Sequence, residues 1–365
     1  MYLNWIMTMG LRAGVLATAL VCAGGCARQE TPALEPPAAS ALTNSVEPDS
    51  LRKMAYPTDR KSLAAREDSG DFRPTASGRI ESALYGSVRT ERNGKGLAPS
   101  FHEGIDIAPL NTDAHGRPQD AIAAVADGTV AYANRVVGNS NYGKYVVLRH
   151  ASSLGELYTL YAHLAQIAPG VKAGQAVKAG AILGIMGNTS SSPIPMARAH
   201  LHFELGFMVN AHYDRWYHAQ KLKPDHGIFN GGNLLGLDPL AVFERQKEDP
   251  AFTFAEYLKT ILPAFEIVLF VPRRPDYFRR YPALWDGPAF SGRAMVLAVS
   301  ENGLPLRGWN AAEPDRQEQG KKKWRIRNMN AAALGRNGCR LIVCRRRTWT
   351  LSAAGEKWLE ILTYP

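Results

Sequence analysis

Histidine is missing from both ends of this 365-residue sequence: all nine lie between His102 and His226. Cysteine is scarce, with four residues in two distant pairs, Cys22 with Cys26 and Cys339 with Cys344. Long apolar runs are also lacking. The run near the start, Ala13–Cys22, is too short for a helix crossing ~30 Å of hydrocarbon, which needs about 20 residues. With 45% hydrophobic and 21% charged residues, the composition excludes collagen-like, wholly disordered and polytopic membrane classes. Acidic residues are in deficit, 33 against 43 basic ones, for a formal net charge of +10. Nucleic acid, anionic lipid or an acidic polymer therefore stay open as partners. That deficit is local, because residues 301–365 hold 13 Lys and Arg but 6 Asp and Glu. The length suits two domains.

Residues 1–25 read as an export signal. One basic residue, Arg12, precedes a short apolar segment and the small residues Ala23-Gly24-Gly25 before Cys26, the order of a secretory leader. Translation starting at Met7 or Met9 would place Arg12 in a normal short basic region. The segment Ala23–Cys26 resembles the lipobox of bacterial lipoproteins, although Ala23 stands where leucine is usual. The resemblance implies acylation of Cys26 and a membrane anchor; a plain secretion signal cleaved near Ala23 is the alternative. Residues 26–77, rich in Pro, Ala, Ser and charge, then read as a flexible tether. In an oxidising compartment, cysteines pair with each other more readily than they bind metal. Cys339 and Cys344 flank Arg340-Leu-Ile-Val343. They either form a disulfide across a bend or remain two free buried thiols, since a straight strand would keep them apart.

From residue 78 to 245 short β-rich runs alternate with glycine turns. Thr129–Tyr132, Tyr145–Leu148, Leu157–Tyr161 and Ala181–Ile185 are separated by segments such as Ala126-Asp-Gly128 and Asn141-Tyr-Gly143. The spacing predicts a mainly antiparallel β domain. Within it lie Phe101-His-Glu-Gly-Ile-Asp-Ile107, Tyr161-Ala-His-Leu164 and His200-Leu-His-Phe-Glu204. Residues two apart on a strand share a face, so His200 and His202 enter one site. Two imidazoles and a carboxylate suit zinc and leave a fourth position for water.

These three motifs, in this order, resemble the M23 zinc metallopeptidases of the LytM and lysostaphin type, which are mostly peptidoglycan endopeptidases. Tyr85–Arg89, Ala124–Val130 and Val171–Thr189 carry the resemblance further. It implies zinc held by His102, Asp106 and His202, with His163 and His200 as unliganded catalytic histidines. Such a metal makes hydroxide available near neutral pH, one imidazole takes its proton, and the other stabilises the oxyanion. His115, His150, His212, His218 and His226 read as surface or core residues. Glu103 and Glu204 orient the site or solvate its rim. Two loops, Leu110–Gln119 and Ser190–Ala199, are longer than the family pattern and should border the substrate groove. Phe207–Phe243, with Trp216 and Tyr217, is a further candidate groove wall.

Residues 246–365 read as a small basic α+β module. Helices are expected over Phe252–Leu262 and Ser352–Leu362, and strands over Glu266–Val271, Arg293–Ala298, Lys322–Arg327 and Arg340–Val343. Lys321–Arg327 and Arg345–Trp349 interleave basic and aromatic residues. With an export signal upstream, the expected anionic partner is peptidoglycan or lipid and not nucleic acid. The expected whole is an exported, lipid-anchored peptidoglycan endopeptidase facing the periplasm. A non-hydrolytic envelope regulator and a secreted peptidase acting on protein are the two rivals.

Overall fold

Two strands show why the runs near residue 150 are apolar almost without interruption. Alternation places Val146, Leu148, Leu157 and Tyr161 in one buried cluster, and Tyr145, Val147, Tyr158 and Leu160 in another. A sheet covered on both faces loses the usual polar stripe. The computed structural model of the protein describes residues 49–65, 69–90, 97–222, 227–312, 323–330, 332 and 341–365. The expected signal, Cys26, Lys321, His226 and Cys339 lie outside the described residues, so the proposed Cys339 pairing does too. Cys344 is exposed.

The first strands are β1 (Gly86–Thr90), β2 (Leu97–His102), β3 (Gly104–Ile107), β4 (Ala121–Ala123), β5 (Gly128–Asn134) and β6 (Tyr145–Ser152). β7 (Gly155–Ala162), β8 (Gln166–Ile167), β9 (Ala176–Val177), β10 (Ile182–Ile185), β11 (Leu201–Met208) and β12 (Leu234–Leu237) follow. The main sheet runs β12-β11-β7-β6-β5-β9, all antiparallel. One edge of β11 is shared, its first half paired with β3 and its second half with β12. Gly206 permits the second pairing, because a Cβ there would lie 2.0 Å from the Leu235 carbonyl oxygen. The mainly antiparallel β expectation holds.

Helix α1 (Tyr213–Ala219) leaves the sheet, and α2 (Pro239–Glu248) follows β12, capped by the Asp238 carboxylate on Leu240 N and Ala241 N. Beyond α3 (Phe254–Thr260) comes a second sheet. Its strands are β13 (Phe265–Leu269), β14 (Trp285–Asp286), β15 (Met295–Val299), β16 (Pro305–Asn310) and β17 (Trp324–Arg327), in the order β14-β16-β15-β13-β17. Helix α4 (Asp276–Arg280), the hairpin β18 (Ile342–Arg345) with β19 (Thr348–Leu351), and helix α5 (Ala353–Thr363) complete an α+β region. β14, β16, β19 and α4 escaped the sequence reading, being short or lacking a periodic stretch.

Two expected boundaries shift. The tether was expected to reach residue 77, but Leu51, Leu63 and Phe72 are buried. Ala55 N donates to Val125 O, and Phe72 bridges to Ile107 on the outer edge of β3. Arg73 N donates to Asp106 O at 2.8 Å. Each of these contacts goes to a different partner, so no local period announces them. The described residues on either side of residue 245 also belong to one compact unit. Arg280 donates to Met208 O, Asn210 Nδ2 to Ile361 O, and Asn302 Nδ2 to Gly236 O.

Candidate metal centre

Strand register assembles the site. Across β3, β11 and β7, Asp106 faces His202, and His202 faces Ala162, as direct partners. His102 ends β2, just before β3 begins. His163 follows β7 by one residue and takes a left-handed φ of 61°, uncommon for a residue with a side chain and a frequent mark of a functional position. His200 precedes β11 and is bridged to Gly187. The sequence motifs thus meet at adjacent strand ends.

Three ligand atoms converge. His102 Nε2 lies 2.9 Å from His202 Nδ1 and 3.0 Å from Asp106 Oδ1, and the latter two are 2.9 Å apart. His102, Asp106 and His202 are all buried. His200 Nε2 stands 3.5 Å from the same Asp106 oxygen, and the His163 ring centroid is 4.8 Å from that of His200.

Outer acceptors set which nitrogen carries the proton. His102 Nδ1 faces Leu84 O at 2.9 Å, His163 Nδ1 faces Thr189 O at 2.8 Å, and His200 Nδ1 faces Arg198 O at 2.7 Å. A carbonyl only accepts, so Nδ1 is the protonated nitrogen and Nε2 offers its lone pair. His202 is turned the other way. Its Nε2 donates to Glu204 Oε1 at 2.9 Å, leaving Nδ1 to face the cluster. Glu204 also accepts from Tyr142 and Tyr158 hydroxyls at 2.7 and 3.0 Å.

The electrostatics agree with a cation at this point. Burial opposes a charge on His202, but its hydrogen bonds to the Asp106 and Glu204 carboxylates outweigh it and lift its pKa to about 9. A site that favours a proton between two carboxylates favours a metal ion there as well. Burial, with His200 and His202 beside it, holds His163 well below the usual imidazole range. Burial pushes the Glu204 carboxyl up, yet His202 and the two tyrosines more than offset this and lower it. Two imidazole nitrogens and one carboxylate oxygen form the three-ligand set of an open, catalytic transition-metal centre. Lone pairs held this close repel one another unless a cation or proton lies among them, so the residues fit the metal.

The remaining histidines behave as expected where they are described. His150 is buried between Asp127 O and Thr159 Oγ1, and desolvation lowers its pKa to about 4. Glu204 orients a ligand. Glu103 instead points away, accepting from Gly236 N and Asn302 Nδ2, and burial raises its pKa to about 8. Trp216, expected on a groove wall, is 3% exposed and packs in the main core. Tyr142 and Tyr158 were missed as site residues; the alternation of β7 marks Tyr158 only as a core position.

Residues 100–214 match the model of Peptidase family M23, and the chain therefore contains an M23 peptidase domain. Over 109 residues it is 38% identical to an uncharacterized metalloprotease of Haemophilus influenzae, covering 30% of this chain and 19% of the relative. Over 104 residues it is 36% identical to the DD-carboxypeptidase/endopeptidase Mpg of Neisseria meningitidis, covering 28% and 20%. The matches thus span about a fifth of these curated relatives. Among solved structures, the catalytic domain of lysostaphin from Staphylococcus simulans is 25% identical with a TM-score of 0.28, covering 44% of this chain and 89% of its own.

Proposed function

We propose that this protein is a zinc-dependent endopeptidase that hydrolyses the peptide cross-links of bacterial peptidoglycan. The observation that carries the reading is the convergence of His102 Nε2, Asp106 Oδ1 and His202 Nδ1 beside two further histidines, His163 and His200, whose Nδ1 atoms are held by backbone carbonyls. A bound zinc ion supplies Lewis acidity, acidifying water and polarising the scissile carbonyl.

The chain's own residues do the rest. His102, Asp106 and His202 hold the ion, and strand pairing keeps the latter two in register. His163 and His200 divide the proton transfers. With Nδ1 committed to a carbonyl, each has one Nε2 lone pair to take a proton from the attacking water and return it to the leaving amine. The partner imidazole, once protonated, donates to the developing oxyanion. A nearby cation would depress His163 further in the direction burial already sets, so it starts the cycle as a neutral base.

Peptidoglycan as the substrate is supported by the similarity to a DD-carboxypeptidase/endopeptidase of Neisseria and by the basic charge of this chain. The loops Leu110–Gln119 and Ser190–Ala199 present Leu110 and Met196 at 45% and 38% exposure, apolar contacts for a stem peptide. Export and acylation at Cys26 would place the enzyme at its polymer. Among the described residues no helix is long and apolar enough to cross a membrane.

Incubating the purified chain with isolated sacculi should release muropeptides whose masses show peptide-bond cleavage. A chelator or His202→Ala should reduce release to the uncatalysed background. Unchanged release in either case would overturn the metal mechanism, and cleavage of Gly-rich protein with sacculi untouched would overturn the substrate. Acyl labelling that persists in Cys26→Ala would refute the anchor.

A further inference from the structure

Resting on that reading, we propose that Tyr142 is a positioning residue that sets two histidines of the centre, His202 and His163, from one turn. Its hydroxyl fixes the ligand His202 through Glu204. Its carbonyl fixes the backbone of His163.

At the hydroxyl end, Tyr142 donates to Glu204 Oε1 at 2.7 Å, the same oxygen that accepts His202 Nε2 at 2.9 Å. Glu204 is 1% exposed, so its carboxylate depends on protein donors in place of water. Tyr158 reaches the other oxygen, Oε2, at 3.0 Å. With both oxygens held, the His202 ring has one orientation in which Nε2–H meets Glu204 and Nδ1 faces Asp106 and His102. The Tyr142 ring also packs 5.7 Å from the His202 ring.

At the backbone end, Tyr142 O accepts His163 N at 2.9 Å. This bond holds a residue whose φ of 61° is costly for a side-chain-bearing residue. The next residues clasp the far side. Gly143, at φ +61°, lets the chain pass where a Cβ would lie 2.1 Å from Thr189 O. Lys144 N donates to Thr189 Oγ1, and Thr189 O accepts His163 Nδ1. One turn, Tyr142–Lys144, therefore reaches the metal ligand by a side chain and the proton-transfer histidine by the backbone.

A tyrosine that merely fills space predicts something different. Tyr142→Phe keeps the ring and the carbonyl and removes only the hydroxyl. It should weaken zinc affinity by about 10–100-fold, the range for partners that orient a metal-bound histidine. The midpoint of unfolding in the presence of chelator should move no more than in the control, Tyr145→Phe. That neighbour also loses one hydroxyl bond, to Phe229 O; its ring packs against Tyr142, but its hydroxyl bonds to neither Glu204 nor a site histidine.

Zinc affinity is read by competition with a chromophoric chelator, using the full chain. Tyr158→Phe should weaken it less than Tyr142→Phe, because Oε2 does not contact His202. Equal zinc affinity in wild type and Tyr142→Phe, or equal losses in Tyr142→Phe and Tyr145→Phe, would overturn the proposal. If Tyr142→Phe does not fold, Glu204→Gln takes its place: it retains an acceptor for His202 and loses the charge, and unchanged affinity would again overturn it. A wild-type chain that binds no zinc defeats the metal reading itself, a result separate from these comparisons.

Discussion

The sheet that carries the metal centre and the sheet near the C-terminus have similar buried strands but use polar groups in opposite ways. In the first, polar side chains are drawn inside at the strand ends and satisfied by one another: His102, Asp106, His163, His200, His202 and Glu204 are all buried. In the second, β13 and β15 bury apolar residues, and charge stays at the rim, as with Arg307 over Trp309 and Arg327 with Glu266. Buried charge is tolerated only where partners are complete, which limits it to places where chemistry repays the desolvation. The difference places the candidate site in the first sheet. Hydrogen bonds from Arg280, Asn210 and Asn302 join the two regions.

The comparison breaks if the two sheets unfold separately. Phe278, fully buried in the C-terminal region, tests this most severely. Phe278→Ala should cost about 3–5 kcal/mol, and zinc affinity should vanish in the same single urea transition that melts the whole unit. Two transitions, with zinc binding surviving the first, would make the C-terminal region an independent module.

A smaller effect is expected at the joint itself. Asn302 donates to both Glu103 Oε2 and Gly236 O, so Asn302→Ala leaves two buried acceptors short of a donor. About 1–3 kcal/mol of stability should be lost. A midpoint within error of wild type would show that the joint contributes nothing.

The mildest test is a pH slope. Burial lifts the Glu103 carboxyl from its ordinary 4.5 to about 8. The folded state therefore holds a proton that the unfolded chain releases above its own pKa. The contribution is complete below that ordinary value and is lost as pH rises through about 8. Glu103→Gln keeps an acceptor and cannot ionise. Urea midpoints from pH about 5 to about 9 should fall less steeply for the variant than for wild type. Parallel curves would mean that Glu103 is already ionised in the fold.

Much of the centre was legible because its motifs are short-range. His200 and His202 share a strand face by their spacing alone, and His102 with Asp106 flank a single turn of chain. The partners that orient them were not legible. Leu84, Thr189 and Arg198 contribute backbone carbonyls, which any residue type can provide. Tyr142 read as part of a glycine turn and Tyr158 as an ordinary β-strand aromatic, and Glu204 as a neighbour without its direction. Residues 49–77 looked like spacer because the buried apolar side chains of Leu51, Leu63 and Phe72 are separated by polar, proline-containing chain. The β14 and β16 strands are paired in parallel across a long connection, a contact with no local signature.

Sequence alone determined which residues are candidates for the chemistry and that the fold is mainly antiparallel β, since residue type and alternation are local properties of the chain. Tertiary structure alone decided the rest. Register put Asp106, His202 and Ala162 in one row, and the fold set backbone carbonyls against Nδ1 of His102, His163 and His200 and Glu204 against Nε2 of His202. The N-terminal and C-terminal segments closed around that row because hydrogen bonds and apolar contacts between residues far apart in the chain carry no period along it.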